Sequence, residues 1–103
     1  MKNKEYNQTQ GRIVNFLRHI KDKTDIIAVE LINKELDKGK SIEEILKKDK
    51  GYFINSRKIS DNKYKIEFGY QADPLAGDSG EWTVAFDEKD NVVDCSEDEF
   101  FIS

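Results

Sequence analysis

The chain holds one histidine and one cysteine, His19 and Cys95. They come first because hydrolytic and transfer chemistry needs a nucleophile, a base and an orienting group brought together. His19 falls beside a stripe of Phe16 and Ile20, so it reads either as a general base or pH switch or as a boundary histidine with one wet edge. The second reading is the commoner fate of such a residue. Cys95 is surrounded by Asp94, Glu97, Asp98 and Glu99, and negative neighbours suppress the thiolate, so a half-buried structural thiol is expected rather than a nucleophile. On a helical wheel Glu35 falls among Ala28, Leu31 and Ile32. A carboxylate held on an apolar face is a candidate acid of raised pKa. The favoured alternative is a packing gap or a partner Lys or Arg from the sheet. No catalytic residue is assigned, and an enzyme ranks below a binding protein.

Neither GxGxxG nor GxxxxGK[ST] occurs, so no loop cradles a phosphate. A single cysteine excludes an internal disulfide and a multi-cysteine zinc site. Asp73, Asp78 and Glu81 lie in a stretch rich in Pro, Gly and Ser, which raises the question of calcium. The spacing lacks the alternation that wraps oxygen ligands around one ion. No metal and no cofactor are expected; residues 73–80 read as a surface loop, long for a hairpin and therefore a place for binding.

The specific signal is the distribution of charge. The formal net charge is only −4, from 17 basic and 21 acidic residues. Beyond residue 72 a single basic residue, Lys89, stands against ten acids: Asp73, Asp78, Glu81, Asp87, Glu88, Asp90, Asp94, Glu97, Asp98 and Glu99. Such a field attracts a cationic protein and raises its association rate, while repelling phosphates, so nucleic acid is not expected as a ligand of this end. The competing reading is a solvated face, or one neutralised internally by the basic helices. The basic residues nearer the N-terminus are interleaved with acids and form no stripe, a poor nucleic-acid surface.

The elements that must position these acids follow from periodicity. At 103 residues the chain fits one domain, residues 1–103, with the polar residues 1–10 expected to be flexible. No apolar run suits a secretory signal or a membrane span, so a cytoplasmic protein is expected, with no membrane partner. From Gly11, Ile13, Phe16, Leu17 and Ile20 recur at helical spacing. Thr24 is a candidate N-cap for a second helix reaching Lys38, with Ile27, Ala28, Leu31, Ile32 and Leu36 inward and Gly39 just past its end. Ser41 to Glu44 reads as a capping box opening a third, short helix. The period then changes: strands are predicted over 52–59, 63–70, 81–87 and 92–95, with turns at Asp61-Asn62 and Glu88 to Asn91. Phe100, Phe101 and Ile102 are too apolar for a free tail and are expected to dock. Helices followed by strands with hairpin-length connections predict an α+β fold, three N-terminal helices packed on a four-stranded antiparallel β-meander.

In size, acidity and α+β layout the chain resembles the small bacterial immunity proteins that neutralise toxin domains. The resemblance implies a protein partner, a basic toxin domain of the nuclease type, occluded by acidic side chains. The expected contacts are Asp87, Glu88, Asp90, Asp94, Glu97, Asp98 and Glu99, with Asp73 and Asp78 as a second rim. Tyr70 or Phe100 is a candidate aromatic anchor. The alternative is a module resembling the cystatin or nuclear-transport-factor-2-like architecture, whose sheet face, with Tyr64, Phe68, Tyr70 and Trp82, would hold a small apolar ligand or form a dimer. Oligomeric state is not legible.

Overall fold

The computed structural model describes the backbone of residues 2–73 and 76–102 and the side chains of residues 9–71 and 77–99. Three helices, α1 (Lys2–His19), α2 (Ile27–Asp37) and α3 (Ile42–Lys48), precede four strands, β1 (Tyr52–Ser60), β2 (Lys63–Asp73), β3 (Ala76–Phe86) and β4 (Val92–Ile102). The strands pair antiparallel in the order β1-β2-β3-β4. The fold is the expected α+β arrangement of helices on an antiparallel meander.

The helices lie on one face of this sheet, with α3 packed against α2. Ile13, Phe16, Leu17 and Ile20 of the α1 region are buried as their spacing requires, and the Phe16 ring meets Trp82 edge-on with centroids 5.2 Å apart. Opposite them lie Ile66 and Phe68 of β2 and Trp82, Val84 and Phe86 of β3, all buried and all on the face that alternation selects. Burying side chains of this size contributes roughly 1.5–3 kcal/mol each.

Several boundaries differ from expectation. The α1 backbone is helical from Lys2, well before the apolar period begins at Gly11, because the polar turns before it leave no periodic signal. Thr24 does not cap α2. The N-cap is Ile26, without a side-chain cap, and Thr24 Oγ1 accepts from the Ile26 amide at 3.3 Å. The helix is also rotated from the expected phase: Val29, Ile32, Asn33 and Leu36 face inward, while Ile27 is 62% exposed and Leu31 39%. Asn33 tolerates this burial because its amide donates to the carbonyls of Leu17 at 3.1 Å and Val29 at 2.8 Å, while its Oδ1 accepts from Arg18 Nη1 at 3.1 Å. By contrast the third helix opens as predicted, with the Glu44 amide donating to Ser41 Oγ at 3.2 Å and the Glu44 carboxylate returning to the Ser41 amide. Gly39 takes φ 86° after α2, the left-handed position that glycine adopts at no cost.

The expected loop over 73–80 is mostly strand. β2 runs to Asp73 and β3 begins at Ala76, with Asp73 opposite Ala76 and Tyr70 opposite Asp78. Small residues gave this stretch its loop-like composition, yet Gly80 is small because it is crowded: a Cβ there would lie 2.6 Å from Ile26 Cδ1 and 2.7 Å from Trp82 Cη2. β4 likewise continues past Cys95 to Ile102, with irregularities opposite Glu81/Trp82 and Ala85/Phe86. Phe100, Phe101 and Ile102 extend its pairing to Gly80, Ser79 and Asp78, and whether their side chains dock lies outside the described residues.

Candidate protein-binding surface

Because the helices cover only one face of the sheet, alternation sends every second strand residue to an open face. Charge on the strands is graded across the sheet. β1 carries Arg57 and Lys58 and no acid; β2 balances Lys63 and Lys65 against Glu67 and Asp73. β3 carries Asp78 and Glu81; β4 carries Asp94, Glu97, Asp98 and Glu99. From one edge to the other the strands thus run +2, 0, −2 and −4.

The ten C-terminal acids divide by what they touch. Asp78 is turned to α2, where its Oδ2 accepts the Ile27 amide at 2.7 Å. Asp87 holds the β3–β4 turn: its Oδ1 accepts from the amides of Lys89 and Asn91 at 2.8 and 2.9 Å, and those bonds, Asn91 first, keep its pKa below the usual carboxylate range. Asp90, at φ 68°, pairs with Arg12 Nε at 2.8 Å. Glu81 and Asp98 share Lys65, at 3.2 and 3.8 Å, and Asp98 also accepts from Thr83 Oγ1 at 2.5 Å. Glu97 lies opposite Trp82, on the helix side, and accepts from Thr24 Oγ1 at 3.3 Å. Asp73 ends β2, and its side chain lies outside the described residues. Glu88, Asp94 and Glu99 are exposed and form no ion pair among the described residues, and Glu97 forms none either.

The expected contact set is therefore split. Asp94, Glu97, Asp98 and Glu99 are brought together on one edge strand, with Glu88 in the turn before it. Asp78, Asp87 and Asp90 are committed to the scaffold.

What ties that turn down is a residue that the sequence reading passed over. Arg12 of α1 is buried, and besides Asp90 its guanidinium donates to Asn62 Oδ1 at 3.2 Å, to the Asp61 carbonyl at 3.4 Å and to the Tyr64 hydroxyl at 3.5 Å. It sits 5.6 and 5.2 Å from the ring centroids of Tyr64 and Phe86. Burial opposes its charge, but the bonds to Asp90 and Tyr64 outweigh that and raise its pKa. Asn15 adds a bond to the Asp90 carbonyl at 2.6 Å. One helix thus clamps both hairpin turns at this end of the sheet. The only available signal was an arginine inside an otherwise apolar stripe.

The candidate chemical groups are quiet. Glu35 is paired with Lys40 at 2.7 Å and Lys38 at 2.9 Å, so its pKa falls to about 2, opposite to the raised acid expected from the helical wheel. Its partners come from its own helix end rather than from the sheet. Burial and then Asp94 push the half-buried Cys95 thiol up to about 11. Burial and the Lys23 ammonium, 3.4 Å from His19 Nε2, lower the His19 pKa. Among the described residues no three His, Cys, Asp or Glu side chains are grouped to hold a metal ion, and no helix is long and apolar enough to cross a membrane. Two open grooves of about 590 and 610 Å³ flank α2. Charged side chains including Lys21, Asp22, Lys34 and Lys48 line them; Tyr64, Phe68 and Trp82 border neither, and Tyr70 borders a smaller groove of about 320 Å³ with Asp25, Ile27, Ala28 and Leu31.

No protein-family model matches the chain, and no curated protein or solved structure is significantly similar to it.

Proposed function

We propose that the chain is a non-catalytic binding protein of the immunity type, acting in the bacterial cytoplasm, whose β4 edge neutralises a basic toxin domain of the nuclease class. The observation that carries this reading is the set Glu88, Asp94, Glu97 and Glu99, which no lysine or arginine of the same chain pairs with among the described residues. Like charges gathered without internal cations cost the free fold some stability and are relieved by a cationic partner. The same field turns phosphates away, so the partner is a protein. The pairing of Glu35 and the raised pKa of the Cys95 thiol leave neither group suited to acid catalysis or nucleophilic attack.

The test is titration of the purified chain with a basic nuclease-type domain, one encoded beside it in the genome being the first choice, by calorimetry and by protection of that domain's nucleic-acid substrate. The expected result is a stoichiometric complex that blocks cleavage. The triple variant Glu88→Lys, Asp94→Lys, Glu99→Lys should weaken it about tenfold or more, chiefly through a slower, less salt-sensitive association rate. Absence of binding at low salt, or binding that the variant leaves unchanged, overturns the reading.

A further inference from the structure

We propose that the two free edges of the sheet are complementary to each other, so that β4 of one copy pairs with β1 of another and the chain associates head to tail. An edge strand presents a row of unpaired backbone N–H and C=O groups, a template for another strand. Among the described residues, Asn55 to Ser60 of β1 and Val93, Asp94 and Ser96 to Glu99 of β4 are all exposed. Their charges are opposite, Arg57 and Lys58 on β1 against Asp94, Glu97, Asp98 and Glu99 on β4.

Direction and facing also agree. In a four-stranded antiparallel meander the first and last strands run in opposite directions. A second copy displaced along the sheet therefore brings its β1 antiparallel to β4, with the helices of both copies on the same side. Arg57 lies opposite Lys65, on the open face, and Lys58 lies opposite Tyr64, on the helix face. Across the sheet, Asp94 and Glu99 lie opposite Ala85 and Glu81 on the open face, while Glu97 lies opposite Trp82 on the helix face. Each cation thus meets an acid on its own side of the sheet. A two-fold contact would instead set β4 against β4 or β1 against β1, like charge against like. The contact is therefore heterologous, producing short open chains or a ring rather than a symmetric dimer. It is independent of the toxin reading, since β1 has no part there, although both uses of β4 exclude each other.

Sedimentation of the purified chain tests this at about 10 mM and about 1 M salt, where the Debye length is about 30 Å and about 3 Å. At low salt the average mass should climb with concentration above the 12.0 kDa of one copy, and at high salt it should return to that value. The variants Arg57→Glu/Lys58→Glu and Asp94→Lys/Glu97→Lys/Glu99→Lys give edges of one sign, and each alone should stay monomeric. Mixed in equal amounts they should associate again, each presenting the edge that the other lacks. A wild-type chain that remains monomeric at low salt up to about 1 mM, association that either variant retains, or a mixture that stays monomeric overturns the proposal. The wild-type salt series stands even if a variant fails to fold.

Discussion

Arg12 Nε lies 2.8 Å from Asp90 Oδ1, joining the middle of α1 to a turn 78 residues further along the chain. The arginine side chain is 6% exposed and the aspartate 30%, so removing the acid strands a charge that is out of water on one side only. Breaking a fully buried pair from one side costs about 3–5 kcal/mol. Here Asn62, Tyr64 and the Asp61 carbonyl remain as acceptors, so Asp90→Ala should cost less, about 2–3 kcal/mol. Asp90→Asn should cost less again, because asparagine tolerates the left-handed backbone that this position adopts. Urea denaturation of the two variants checks both the size and the order.

Asp78 caps a helix to which it is not adjacent in sequence. Ile27 opens α2 with an orphan amide, and the carboxylate of β3 accepts it at 2.7 Å while placing negative charge at the positive end of the helix. Asp78→Ala should lower stability by about 1 kcal/mol, the usual worth of a cap. Asp78→Asn should recover about half of that, losing only the charge. A larger loss for asparagine than for alanine would contradict the assignment. Equilibrium unfolding with both variants decides it.

These two contacts mark where sequence reading stops. Ser41 and Glu44 were legible because a capping box is made within four consecutive residues, and the face of Tyr64, Ile66, Phe68 and Tyr70 was legible because alternation is local. Arg12 and Asp78 draw partners from 49 to 78 residues away, and nothing in their neighbourhoods announces them. The phase of α2 departs from its apolar pattern for a related reason. Ile27 and Leu31 outrank Asn33 in hydrophobicity, but Asn33 goes inside because Leu17, Val29 and Arg18 satisfy it there. β4 runs past Cys95 although its continuation is rich in acids, which strands disfavour. Pairing with β3 overrides that preference, and of the ten C-terminal acids Asp94, Glu97, Asp98 and Glu99 lie on the edge strand.

Cys95 should be a slow nucleophile. Its thiol is raised from an ordinary 9.0 to about 11, first by burial and then by Asp94. Two units correspond to a thiolate population roughly a hundredfold smaller near neutral pH. Alkylation by iodoacetamide in the native state should be slower than in urea by roughly that factor. Asp94→Asn should speed it only modestly, since burial is the larger cause. Equal rates in the native and unfolded chain would contradict this picture.

Glu35 supplies the clearest dependence on pH. Bonds from Lys40 and then Lys38 hold its folded pKa at about 2, against an ordinary value of 4.5. Because the folded value is the lower one, the unfolded chain binds the proton first as the solution is acidified. The contribution of Glu35 is therefore fully present above pH 4.5, shrinks as pH falls below it and is gone once pH passes about 2. Wild type should exceed Glu35→Gln in stability at neutral pH, and the two should converge on acidification through that window. Raised salt should narrow the neutral-pH gap, because Lys38 is largely exposed and its attraction is screened. Paired thermal melts from pH 7 downward test this. A gap that widens toward acid would mean that the carboxyl is held protonated in the fold, the raised-pKa acid that its place on the helical wheel first suggested.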